Sequence, residues 1–119
     1  MAIGFAFLAL IAVSGALLAA GWLGLTGNLP RNHFAGIRVG YSMKSDEHWR
    51  IVHRAAGPYI VLAAAGVLSA SLAFMPFAFA GKIPEGLAVI MLLGQAAFII
   101  FAVLIATTTG LRKAHRILD

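Results

Sequence analysis

The chain has 119 residues, of which 61% are hydrophobic and only 11% charged, with a mean hydropathy of +0.94. A soluble domain of this size has too high a surface-to-volume ratio to bury so much apolar surface, so the composition is that of an integral membrane protein. A net charge of +5 would suggest nucleic acid in a soluble chain, but here it is read as a sign of membrane orientation. Without cysteine there is no disulfide framework, thiolate metal site or thiol nucleophile.

Three stretches free of Asp, Glu, Lys and Arg follow one another: Ile3 to Leu25, Ala55 to Gly81 and Gly86 to Leu111. Each exceeds the roughly 20 helical residues that cross a hydrocarbon core, and helices satisfy their own backbone polar groups in lipid. The expectation is an all-α membrane protein, one domain over residues 1–119, with spans at about 3–25, 55–79 and 87–110. A cleaved signal peptide is the competing reading of the first span; it lacks a basic leader, and its apolar run is long for that role.

The first span carries Ala12, Ala16, Ala20 and Gly24, and the third Ala102, Ala106 and Gly110, a small residue at every fourth position. Such stripes let helix backbones approach closely, within one chain or between chains, although an alanine-rich sequence also produces them by chance. No ionisable side chain lies deep in a span, which argues against a pump or proton-coupled carrier. Gln95 is the most polar mid-span residue and is expected to hydrogen-bond between helices. Trp22, Trp49 and Tyr59 fall toward span ends and read as interfacial aromatics. Pro76, with Gly81 and Pro84 beyond it, predicts that the second helix ends or bends there.

Between the first two spans lies a polar connection, about residues 26–54, holding Arg31, Arg38, Lys44, Arg50 and Arg54 and three of the four histidines. The second connection has only Lys82, and the tail has Arg112, Lys113 and Arg116. Placing the first connection and the tail in the cytoplasm puts eight basic residues inside and one outside, so the N-terminus is expected outside and the C-terminus inside. "PRNHFAGIRVG" reads as a shaped loop. Ser45, before Asp46 and Glu47, reads as a helix cap, and the helix is expected to run on into the second span. Asp46 and Arg50, four apart, are expected to pair; Trp49 and His53 share a face; Gly57-Pro58 is a candidate bend.

Chemistry is sparse here. Arg31 and Arg38 suit an anionic lipid head group or an internal carboxylate. A three-histidine metal site from His33, His48 and His53 is disfavoured, because His48 and His53 diverge by about 140° on a helix. No nucleophile–base pair, P-loop or HExxH motif is present, so no catalytic residue, metal or cofactor is assigned.

The segment "LPRNHFAGIRVGYSMKSDEHWRIVHRAAG" resembles the signature of the SdpI family of small bacterial membrane proteins, named for an immunity protein against a secreted toxin. The matching positions are Asn32, Phe34, Gly36, Ile37, Arg38, Ser45, Trp49, His53, Arg54 and Gly57. Val39 and Ser42 stand where the family often has Thr, and the resemblance is to the signature-bearing module alone. It implies a multi-pass protein of the bacterial plasma membrane acting in immunity or as an accessory. Its loop residues, with Arg31, would bind a protein partner or anionic lipid. The other readings are a small subunit of a larger membrane complex or a homo-oligomer, and an enzyme or carrier for a phosphate-bearing lipid. No nucleic-acid partner is expected.

Overall fold

A computed structural model describes residues 2–32 and 36–118. It contains three helices, α1 (Ala2–Leu25), α2 (Asp46–Phe79) and α3 (Glu85–Leu118), all long and apolar enough to cross a membrane. They form an up-down-up bundle of 53 × 20 × 19 Å in which α2 packs along both neighbours while α1 and α3 barely touch. That length exceeds a hydrocarbon core of about 30 Å. Helical turns of α2 and α3 therefore project beyond the apolar layer at the end that carries the first connection.

Local chemistry explains the helix limits. Ser45 caps α2, its hydroxyl accepting the His48 N–H at 3.1 Å, with Asp46 and Glu47 in the first turn. The helix runs through Pro58 and Pro76 and stops beyond Phe79, where Gly81 takes a left-handed φ of 71°. Pro76 thus lies within the helix, and the stop comes from the turn at Gly81. α3 continues past the expected 110 to Leu118. No breaker follows Gly110, and His115 and Arg116 complement the negative end of the helix dipole.

Two buried clusters hold the bundle at opposite ends. Phe7, Ala78 and Ala88 meet at one end; Ile37, Val52, Ala56, Ala106 and Ala114 meet under the polar connection. Elsewhere the exterior is apolar, with Leu62, Ile90, Leu93 and Phe101 each more than 60% exposed. On a soluble protein such a surface is an aggregation hazard; on these helices it fits contact with lipid.

The two small-residue stripes differ in burial. On α3, Ala106 and Gly110 are buried and Ala102 half-buried, and a Cβ at Gly110 would lie 2.6 Å from the Val52 carbonyl oxygen. On α1 only Gly24 is buried; Ala20 is half-buried, and Ala12 and Ala16 face outward. The face that α1 buries is instead Gly4, Phe7, Ser14, Gly21 and Gly24. Deep between α2 and α3, the Ser71 hydroxyl donates to Gln95 Oε1 at 3.0 Å, an interhelical hydrogen bond in the apolar region.

Close approach at Gly110 decides the sign of a substitution. Ala is favoured over Gly inside a helix by about 1 kcal/mol, but at Gly110 its methyl would meet a backbone oxygen that cannot swing away. Gly110→Ala is expected to lower thermal stability in detergent, whereas Gly66→Ala, with open space around it, is expected to leave it unchanged or raise it. Circular-dichroism melts of both variants check this.

Candidate functional site

Trp49 and His53 lie one turn apart on α2, just before the apolar run 55–79, and both are buried. Their rings tilt at 33° with centroids 4.1 Å apart, making a floor on which the polar connection rests. The Trp49 indole N–H donates to the Leu29 carbonyl at 2.8 Å, which ties down the start of the connection. Trp49 is thus no interfacial aromatic: its hydrogen bond and its ring are both turned inward. Trp22 and Tyr59, by contrast, are exposed.

His53 uses both ring nitrogens. Nδ1 lies 2.7 Å from the Trp49 carbonyl, an acceptor, so Nδ1 carries the proton. Nε2 is therefore the acceptor for the Ile37 backbone N–H, at 2.7 Å. Only a neutral imidazole makes both bonds. Burial pulls the His53 pKa below the ordinary histidine value, against a smaller upward pull from the hydrogen bond to Trp49.

Gly36 makes the approach possible. Its φ is +107°, and a Cβ there would fall 2.7 Å from His53 Nε2 and 3.0 Å from the Trp49 ring. Any side chain would therefore be both conformationally strained and in collision. Ile37 then inserts into the cluster of Val52, Ala56, Ala106 and Ala114. Gly24 and Gly57 complete the junction: a Cβ at Gly24 would be 3.0 Å from His53 Cβ, and one at Gly57 2.9 Å from Leu25 backbone.

Beyond Ile37 the loop closes on itself. Ser42, fully buried, donates to the Ile37 carbonyl at 2.6 Å and accepts the Val39 N–H at 3.2 Å. Tyr41 stacks on His115 of α3 at 3.8 Å between centroids and meets His48 of α2 edge-on at 4.9 Å. Ser45 Oγ also lies 2.6 Å from His48 Nδ1. No local sequence signal marks Tyr41, Ser42 or His115 as part of this site. Ser42 was visible only as a residue replacing Thr, and nothing in the tail marked His115 as a stacking partner.

Arg31 finds an internal carboxylate. Its Nη1 donates to the Met43 carbonyl at 3.0 Å and its Nε lies 3.3 Å from Asp46 Oδ1. This corrects the expected Asp46–Arg50 pair: Arg31, coming across the loop, takes the acid. The pair is exposed and contributes well under about 1 kcal/mol, so its role is to hold loop shape. Asn32 donates to the Pro30 carbonyl at 2.7 Å. Arg38 and Arg54 are exposed. His33 and Phe34 lie outside the described residues. Among the described residues no three His, Asp or Glu side chains come close enough to share a metal.

The clamp carries a pH dependence of fixed sign. The folded state holds His53 neutral at a value below the unfolded one, so the unfolded clamp takes up the proton first. Its stabilising effect is full above about pH 6.5 and is lost as the pH falls through the lowered folded value. Protection of the Ile37 amide against hydrogen exchange, corrected for the intrinsic rate, is expected to collapse over that interval. In His53→Ala the amide is expected to be unprotected at every pH. Protection that ignores pH would contradict the assignment.

No curated protein and no solved structure matches the chain. The model of the SdpI/YfhL protein family does, over residues 28–111. The match begins at the polar connection and runs through α2 and most of α3, taking in the clamp. By that match, which covers well over half its length, the chain belongs to the SdpI/YfhL protein family.

Proposed function

We propose that the chain is a non-catalytic, multi-pass protein of the bacterial plasma membrane, an immunity or accessory protein that presents its clamped loop to a protein partner in the cytoplasm. The carrying observation is how the signature residues are used. Gly36, Ile37, Ser45, Trp49 and His53 are engaged in holding the loop's shape. What the loop turns outward is its tip, where Arg38, Val39 and Gly40 are exposed beside Lys44. A rigid, basic tip with one apolar side chain suits recognition of an acidic protein surface at low ordering cost. The cytoplasmic placement rests on the charge count: eight basic residues on the clamp side and Lys82 on the other.

A second reading is favoured by the outward stripe on α1. Ala12 and Ala16 are exposed among large apolar side chains such as Val13 and Leu8, a suitable track for another transmembrane helix in a larger complex.

Both readings are tested by mild-detergent purification of the tagged chain from its native membrane, with competition of a deletion strain against its parent. A stoichiometric protein partner is expected, lost in Arg38→Glu with membrane abundance unchanged. The deletion strain is expected to lose survival in mixed culture, restored by the wild-type chain and not by Arg38→Glu. Loss of the partner in Ala12→Leu/Ala16→Leu but not in Arg38→Glu would favour the subunit reading. Unaltered survival of the deletion strain would contradict the immunity role.

A further inference from the structure

At the clamp end, on the flank where α2 lies between the other two helices, a groove of about 350 Å³ opens beside the end of α1. Arg50 and Arg54 enter it from α2 and Lys113 from α3, over Leu25, Ile51 and Ile117. Arg50 and Arg54 are one helical turn apart and so share a face, where like charges repel. Among the described residues none of the three cations has an ion pair or hydrogen bond. The nearby acid Asp46 is committed to Arg31. The negative end of α1 offsets about half a charge, which leaves an excess of about two and a half on the groove cations; exposed Glu47, one turn before Arg50 on α2, forms no ion pair with them.

We propose that this groove binds the phosphodiester of one anionic phospholipid. The site has two halves at the right heights. Its cations stand where the apolar runs of α1 and α2 end, the level of lipid phosphates, while Leu25, Ile51 and Ile117 supply an apolar wall for the glycerol and upper acyl chains. A free phosphate ion would use only the polar half. The turn after α1 passes beside the two arginine stems, so that a Cβ added at Gly27 would lie 4.0 Å from Cδ of both Arg50 and Arg54. This site is distinct from the loop tip. It rests on reading the helices as membrane spans, not on the partner proposed for Arg38.

Native mass spectrometry of the full chain in detergent, titrated with phosphatidylglycerol or phosphatidylcholine, tests the proposal. One phosphatidylglycerol per chain is expected to be retained in preference to phosphatidylcholine, and millimolar inorganic phosphate is expected not to displace it. Arg50→Gln, Arg54→Gln and Lys113→Gln should each weaken retention about fivefold, the factor for one cation at an anionic surface, and the triple variant about a hundredfold. The control triple Lys44→Gln/Arg112→Gln/Arg116→Gln removes the same charge outside the groove and should change retention less than twofold. Equal loss in the control would mean diffuse charge attraction and overturn the site. Displacement by phosphate, or equal retention of both lipids, would overturn it as well. Circular dichroism of each variant, whose altered side chains are all exposed, confirms that the fold is kept.

Discussion

The bond from the Ile37 amide to His53 Nε2 exists only while the imidazole is neutral and its other nitrogen donates to the Trp49 carbonyl. Much of the polar connection depends on that arrangement. It lets the loop backbone descend onto α2 at Gly36, carries Ile37 into the apolar junction, and leaves Ser42 to close the turn behind it. A buried backbone N–H without an acceptor costs about 1–3 kcal/mol, so the imidazole lends the loop a polar anchor. The same junction joins the helices, since Gly24, Gly57 and Gly110 bring α1 and α3 against the turn of α2 that holds His53. Loop shape and bundle packing are thus parts of one structure.

How legible was this from the amino-acid sequence? The spans were, because uncharged runs of more than 20 residues have few other physical explanations. The Ser45 cap was, because Ser followed by two acids is a local signal. What escaped was whatever depended on long-range geometry. Trp49 near a span end fits an interfacial aromatic equally well, and only the position of Leu29 turns it inward. Asp46 and Arg50 have the right helical spacing, yet Arg31 reaches the acid from across the loop. The α1 stripe was real as a pattern, but its helix buries a different face. Tyr41 and His115 are 74 residues apart in sequence and stack in space, a pairing that no local rule anticipates. The family signature marks this segment without giving a physical reason for its residues; the close approach at Gly36 and the hydrogen bonds of His53 supply a structural one.

The two polar surfaces at this end of the molecule have different characters. The loop tip stands on a buried framework and exposes Arg38 and Val39, the surface proposed for a protein partner. The groove at Arg50, Arg54 and Lys113 is built on long, flexible side chains over an apolar wall, a geometry suited to a lipid. A lipid seated there would stabilise the projecting turns of α2 and α3, on which Tyr41 and the clamp also rest. Occupancy of the groove and stability of the loop are then linked by ordinary mass action.

A neutral His53, protonated on Nδ1, accepts the Ile37 amide. The most direct measurement is ¹⁵N NMR of histidine-labelled protein in detergent micelles at pH 7.5, observing the His53 ring nitrogens together with the Ile37 amide. A protonated Nδ1, an unprotonated Nε2, and a scalar coupling across the hydrogen bond between Nε2 and the Ile37 nitrogen are expected. A proton on Nε2, or an Ile37 amide in free exchange with water at that pH, would contradict it.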